Sequence, residues 1–541
     1  MRFMRGIIIC VFFNIIVVSK NLNASAGGGC LQRQGSRKER EIFMSTSNLS
    51  KSGRTINDDQ DVIVYIDPKK RAIVTIALLV GFFGIHFYMR AFSMCTSYIM
   101  ADWNAGEYYS AGKALQTAIM VVATSVSAYL IPNWGIKKIM GGSLVIVILC
   151  DIGTLLAPNL GVFLACVMLQ GIGNAGLISN MISLMNKIWP PSKRAMWLST
   201  LGATQGIAAL VVPTLAGLMI DAFGWQSVYY LMIGIQIIGL ILTLIVTPSD
   251  TRQRNYLPKK FDAIGTIVFV IWVCCCVLAC NFGNTWGWSN PSIIAMLAVT
   301  VIGIIVFIVY EYKHSETAIF PVKLFKDNIN CTWIFIQSFA SCVVCMGQFV
   351  FLIYYMQAIM GTSATVSALP FTVFSIGTLV MPTVYAAIYK KTGKLKALLT
   401  VTMILVTLNA LLYGIVLSPA CSMGLIFLIS VIGGLGHASC VNLCYSAAEA
   451  YMPESRISDG NQVAYIAICL AGSVGLAVLQ AIANVVSSDQ IASGVEELAA
   501  RSAGYATAFI VATMFGVIGI IASLLLNKKI KERGDITVEN V

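Results

Sequence analysis

Between residues 72 and 526 the chain alternates long apolar runs with short polar breaks. A helix that crosses a bilayer needs about 20 mostly apolar residues. Dividing the charge-free runs at Gly, Pro and Asn clusters predicts fourteen such helices, at 72–100, 108–132, 139–157, 160–184, 195–220, 226–247, 263–281, 290–310, 331–356, 365–388, 397–417, 422–446, 460–483 and 503–526. The run 263–310 is too long for one helix and divides at its polar break between Asn281 and Asn290. The run 328–389 divides at Gly361-Thr-Ser, and the run 397–448 at Ser418-Pro419.

The basic residues test this count independently. If the segment before span 1 is cytoplasmic, then of the 27 Lys and Arg from residue 69 onward, 24 fall in cytoplasmic segments and only Arg501 falls outside. Arg90 and Lys113 lie within spans. A missed or invented helix would invert every later loop and scramble this bias. The pattern therefore predicts an all-α integral membrane protein with both termini cytoplasmic, set in a cell membrane.

Composition agrees. Apolar residues make up 57% of the 541 and charged residues only 11%, against about 25% charged in soluble proteins. The net charge of +12 fits Lys and Arg facing anionic headgroups. No basic patch alternates with aromatics as nucleic-acid binders require. The 16 cysteines lie mostly in apolar runs and read as small core residues. Cys342 and Cys345 form a lone C-x-x-C without further ligands, so neither a metal site nor a disulfide framework is expected.

Residues 1–20 carry two arginines and then a short apolar stretch, which resembles a signal-peptide core more than a span. A polar, basic and disordered stretch is expected after it. A cleaved signal contradicts a cytoplasmic N-terminus, and Met44, which opens Met44-Ser-Thr-Ser-Asn, is the expected true start.

The chain repeats itself at an offset of about 260 residues. Gly171-Ile-Gly-Asn-Ala-Gly176 is matched by Gly434-Leu-Gly-His-Ala-Ser439, Pro191-Ser-Lys-Arg194 by Pro453-Glu-Ser-Arg456, and Trp134-Gly-Ile-Lys-Lys138 by Thr392-Gly-Lys-Leu-Lys396. The expected organisation is a signal-like region over 1–68, a six-helix bundle over 69–248, two inserted helices over 249–312, a second six-helix bundle over 313–527 and a tail over 528–541. Parallel repeats of this kind place a substrate site at their interface near the midplane.

These residues carry a resemblance. Leu169-Gln-Gly-Ile-Gly173, Ile188-Trp-Pro-Pro-Ser-Lys-Arg194, Pro213-Thr-Leu-Ala-Gly217 with Phe223-Gly-Trp225, and Phe320-Pro-Val-Lys-Leu-Phe325 are similar, in order and sidedness, to signatures of the major facilitator superfamily, in its fourteen-span drug:proton-antiporter branch. The resemblance runs over roughly 70–530. It implies the major-facilitator fold, alternating access, and gating roles for Gly135, Lys137, Lys138, Pro213, Gly217 and Gly393. The chain also departs from the pattern. The loop after span 2 has no acid, Val167 stands where the family has a buried Arg, Val212 stands where it has a Gly before Pro213, and span 1 carries Arg90 rather than an acid. These departures count against proton-driven cation efflux.

Ionisable groups inside spans are costly and mark function by default. Arg90 lies roughly 15 Å from the outer end of span 1 at 1.5 Å per residue, with His86 one turn away on the same face. The resemblance implies that spans 1, 4, 9 and 12 line a central cavity. That places Gln170, Asn174, Gln348, His437 and Asn442 with Arg90 and His86 as the substrate-binding candidates, Asn174 and His437 facing each other. Alternatively, Arg90 pairs with Asp151 of span 3, the one clear intramembrane acid, or Lys113 does. There is no nucleotide-binding G-x-x-x-x-G-K-[ST], and the spans lack clustered acids or His for an embedded enzyme. The expectation is a monomeric secondary transporter without metal or cofactor, whose partners are a small organic solute, anionic by the charge of Arg90, a coupling ion such as the proton, and the lipid bilayer. Proton-coupled multidrug efflux is the alternative, and a membrane-embedded enzyme a remote one.

Overall fold

The computed structural model describes residues 68–104, 111–189, 191–247, 262–314, 320–437, 442–452 and 457–526. The expectations for residues 1–67, including the start at Met44, and for the tail beyond 526 lie outside them. The chain divides into two units, Met1–Ile76 and Ala77–Val541. The described part of the first is the opening of a helix, where Thr75 Oγ1 donates to the Arg71 carbonyl at 2.8 Å.

Each expected span, in its described residues, falls on helix. We number them α1 Pro68–Asp102, α2 Ala111–Trp134, α3 Ile136–Leu155, α4 Leu160–Ile188, α5 Pro191–Phe223, α6 Trp225–Val246, α7 Ala263–Trp286 and α8 Pro291–Lys313. The second half continues with α9 Ile329–Ile359, α10 Ala364–Thr392, α11 Leu395–Val416, α12 in two described pieces, Met423–Gly436 and Asn442–Tyr451, α13 Gly460–Ala492 and α14 Glu497–Leu525. Among the described residues twelve helices are long and apolar enough to cross a membrane. The two expected spans outside that set are α2 and the divided α12. A short helix, Val322–Asp327, precedes α9, where the sequence placed an amphipathic segment.

The caps follow from local chemistry. Asn159, Asp262, Asn290, Asn328 and Ser363 each accept a backbone N–H at the head of α4, α7, α8, α9 and α10, because the first turn of a helix leaves its donors unpaired. Within the second unit, α4 packs on α2 and α3, α6 on α3 and α5, and α14 on α9, α11 and α13. The pair α7–α8 docks through α7 on α2 and α13. Helices approach closely where α4 carries glycines: a Cβ on Gly171 would lie 2.6 Å from the Gln116 carbonyl oxygen, and one on Gly173 2.6 Å from that of Ser143. In lipid, where apolar surface gains nothing from association, such small residues let backbones meet.

α5 and α10 join the two halves. Ser375 Oγ donates to the Ala209 carbonyl at 2.8 Å, and Thr214 and Thr372 share a hydrogen bond of 2.6 Å. Pro213 lies inside α5, where its missing N–H frees the helix to bend. One apolar core spans this junction, with Phe87, Tyr88 and Phe92 of α1, Val212 and Ala216 of α5, and Phe351, Phe371 and Phe374 of α9 and α10.

Candidate functional site

α9 changes its winding in mid-span. Gln348–Leu352 and Tyr355–Ile359 form π-helical turns, a rare departure that recurs at functional sites. Phe349 sits on the first of these turns. Its ring stands 5.0 Å from Phe374 and 5.7 Å from each of Phe371 and His437, and His437 lies 5.1 Å from Phe374. The Arg90 guanidinium lies over one ring of this cluster, its carbon 4.5 Å from the Phe349 ring centre. α1, α9, α10 and α12 thus meet around one half-buried cation.

Arg90 has no carboxylate partner among the described residues. The alternative that it pairs with Asp151 is not what the structure shows. Asp151 is fully buried. Its Oδ1 accepts a short hydrogen bond from Gln170 Nε2, and its Oδ2 accepts one of 2.6 Å from Gln236 Nε2. Gln116 Nε2 donates to Gln170 Oε1 at 3.1 Å and to the Tyr88 hydroxyl at 3.0 Å. Five helices, α1, α2, α3, α4 and α6, therefore share one buried polar chain. The side chain of Lys113, the other suggested partner of Asp151, lies outside the described residues.

The remaining candidates separate. Gln170 belongs to the Asp151 chain rather than to Arg90. His86 Nδ1 meets the Phe82 carbonyl of its own helix at 2.9 Å. Gln348 is buried beside Phe349, and its Nε2 has no protein partner. Asn174 does not face His437. It lines a narrow cleft between α1, α3, α4 and α6 together with Gly81, Gly84, Gln236 and Gly239, and neither of its amide atoms has a protein partner. The side chain of Asn442 lies outside the described residues. Asn180 and Gln337, also polar and mid-span, make helix-to-helix bonds with Ser127 at 2.7 Å and Cys444 at 3.3 Å.

The gating candidates fall at turns and contacts. Gly135 heads α3 at φ 82°, ψ 149°, a conformation only glycine adopts without strain. Lys137 is half-buried and Lys138 exposed just after it. Gly393 closes α10 in the left-handed conformation at φ 65°, its N–H on the Tyr389 carbonyl at 2.7 Å. Gly217 meets the head of α10, where an added Cβ would lie 2.7 Å from the Ala364 carbonyl oxygen. One turn further, Asp221 Oδ1 and Oδ2 accept the N–H groups of Ala364 and Thr365, each at 2.9 Å. Trp225 Nε1 donates to Asp102 at 3.0 Å at the same end, and Ser97 and Gln357 join α1 to α9 there.

Sequence reasoning missed Phe349, Phe374, Gln116, Gln236 and Asp221. Asp221 had a signal, standing four residues from Gly217 and so on its helix face. Gln236 had one too, as an amide in mid-span of an otherwise apolar helix. The aromatic residues had none, because phenylalanine is common in every span.

The comparisons agree with this architecture. The family model described as Major Facilitator Superfamily matches residues 76–476. The multidrug transporter protein MdtP of Bacillus subtilis is 24% identical over 343 residues, 62% of each chain. The rubrofusarin-specific efflux pump aurT of Gibberella zeae is 27% identical over 356 residues, 63% of this chain and 64% of that one. The match thus spans about three-fifths of these relatives' length. Among solved structures, a bacterial homolog of the human lysosomal transporter Spinster, inward-facing and unoccupied, has a TM-score of 0.62 at 12% identity, covering 85% of this chain and 98% of that one. A peptide transporter POT in complex with sulfate has a TM-score of 0.60 at 13% identity, covering 84% and 94%. At that identity the likeness is one of fold.

Proposed function

The chain belongs to the Major Facilitator Superfamily, and from that premise we propose that it is a secondary active transporter that carries a small organic anion with an apolar body by alternating access. The observation that carries this reading is Arg90 over Phe349. A lone Arg at mid-membrane costs at least about 2.5 kcal/mol on insertion scales. A cation–π contact returns about 0.5–2 kcal/mol and supplies no hydrogen-bond acceptor. It leaves the five in-plane N–H donors, whose fork matches a carboxylate in a bidentate grip. Phe349, Phe371 and Phe374 would wall the apolar part of such a solute, and the unpartnered Gln348 Nε2 would add a donor.

In this reading the chain lies in the cell membrane as fourteen helices with both termini cytoplasmic, and acts as a monomer coupled to an ion. Residues 69–248 and 313–527 rock against each other, with 249–312 inserted between them. Gly135, Lys137, Lys138, Pro213, Gly217 and Gly393 serve the rocking. Proton-coupled multidrug efflux of the fourteen-span branch is the second reading, and the relatives' names as a multidrug transporter and an efflux pump favour it.

The test is transport by the purified chain in vesicles under an imposed proton gradient, against a panel of aromatic and aliphatic carboxylates and of cationic dyes. Movement of carboxylates with dyes excluded is expected. Movement of dyes alone would replace anion recognition by cation efflux, and movement of neither would overturn both readings.

A further inference from the structure

We propose that Asp151 is a site of reversible proton binding, reached through the cleft that Asn174 and Gln236 line. The buried polar chain around Asp151 is more than a helix-to-helix tie. Every direct donor to the carboxylate is a neutral amide, and no cation partners it among the described residues. A carboxylate inside a membrane without a counter-charge is costly even when hydrogen-bonded. The titratable groups facing it are Tyr88 of α1, Tyr229 of α6 and its own neighbour Cys150, with Cys166 of α4 beyond Cys150. Lys113 of α2 has its side chain outside the described residues, and Arg90 of α1 turns to Phe349. None of the described groups supplies a fixed positive charge at the carboxylate.

Gln236 is built to serve both protonation states. Its Nε2 donates to Asp151 Oδ2, while its buried Oε1 has no partner. Turning the amide by half a revolution presents Oε1 to a protonated Oδ2–H and sends the NH2 into the cleft. Asn174, 1% exposed, brings an unpartnered oxygen and an unpartnered nitrogen to that same cleft. A buried polar group is ordinarily paired, and three unpaired amide atoms on one cleft, Gln236 Oε1 and both of Asn174, point to a polar occupant. Gly81, Gly84 and Gly239 keep the cleft open, on the scale of a single water molecule. Asp151 stands behind Gln236 rather than on the cleft wall, so the proton, arriving on that water as hydronium, passes to Oδ2 when the Gln236 side chain swings aside. One hydronium O–H bond then breaks as an O–H bond forms on Oδ2, and neutral water remains. Release reverses the step. The proposal rests on the transport reading only for what the proton drives.

The test needs no solute. Infrared difference spectra of the full chain in lipid vesicles are recorded between acid and alkaline pH in H2O and D2O. The wild type is expected to show a protonated-carboxyl band that disappears at alkaline pH. Asp151→Asn should lose it, and Asp151→Glu should retain it at a displaced frequency. Should Asp151→Asn fail to fold, the displacement in Asp151→Glu makes the assignment alone. Gly239→Val projects into the cleft, where a Cβ meets nothing nearer than Leu144 Cδ2 at 3.9 Å, and should slow the band's pH-jump kinetics by an order of magnitude. A band unchanged in both Asp151 variants would overturn the proton site. Unaltered kinetics in Gly239→Val would overturn the cleft as its route. Neither result touches anion recognition by Arg90, which the vesicle panel tests separately.

Discussion

Replacing Gly217 by Ala perturbs the junction between the halves in a calculable way. The new Cβ would lie 2.7 Å from the Ala364 carbonyl oxygen and 2.8 Å from the Thr365 Cα. Both are backbone atoms at the head of α10 and cannot rotate away. Carbon contacts settle at about 3.5–4.0 Å, so α5 and α10 must part by roughly an ångström at this end. Overpacking of this kind costs about 1–3 kcal/mol. The same displacement stretches the two bonds from Ala364 and Thr365 to Asp221, and loss of a helix cap costs a further ~0.5–2 kcal/mol. Taking about 2 kcal/mol in all, at 1.36 kcal/mol per decade, the ratio of parted to joined ends rises roughly 30-fold. The contacts of Thr214 and Ser375, nearer mid-span, remain and act as the hinge. Spin labels at the exposed Phe223 and Ser418 report the separation. The expected result is a longer distance gaining population in Gly217→Ala at the expense of the joined one. An unchanged distance distribution together with an unchanged thermal midpoint would refute the reasoning.

Other outcomes follow from the same geometry. Asp221→Ala removes both acceptors at the head of α10 and should shift the label distances in the same direction, by about 0.5–2 kcal/mol; no shift would show that other contacts hold the ends together. Gly135→Ala places a side chain at φ 82° and should lower stability by about 1–3 kcal/mol, whereas Gly142→Ala, with nothing within 4 Å of its Cβ, should leave the thermal midpoint unmoved. His86→Leu loses one helix-local hydrogen bond, worth ~1 kcal/mol, and should leave solute affinity within about two-fold; a large loss in an equilibrium binding assay would put His86 in the recognition site.

The helices were legible because length and charge alone decide them. A run of about 20 apolar residues has few fates. The breaks at Ser418-Pro419 and Gly361-Thr-Ser fall between observed helices for the same reason. What the sequence hides is which way each helix faces. In water an apolar stripe marks the buried face, but a lipid-facing surface is as apolar as the core, so Gln170 and Asn174 could not be assigned to one side of α4. Gln170 turned toward α2 and α3, and Asn174 toward α1, α3 and α6. The π-helical turns of α9 shift every side chain beyond Gln348, and no local residue announces them. Asp151 was recognised as the intramembrane acid, but its partners were sought among cations because charge pairing is the commoner solution. Two glutamine amides took that role.

If the in-plane donors of Arg90 grip an anion, Arg90→Lys removes that grip and little else. Lysine keeps the charge and the reach but loses the bidentate fork. Wild type and variant are reconstituted side by side, and equilibrium exchange of the best-transported radiolabelled carboxylate is measured without any imposed gradient. The variant is expected to insert and melt like the wild type yet exchange the anion at least about ten-fold more weakly, the value of one charge-assisted hydrogen bond. Exchange at the wild-type rate and affinity in Arg90→Lys would contradict it.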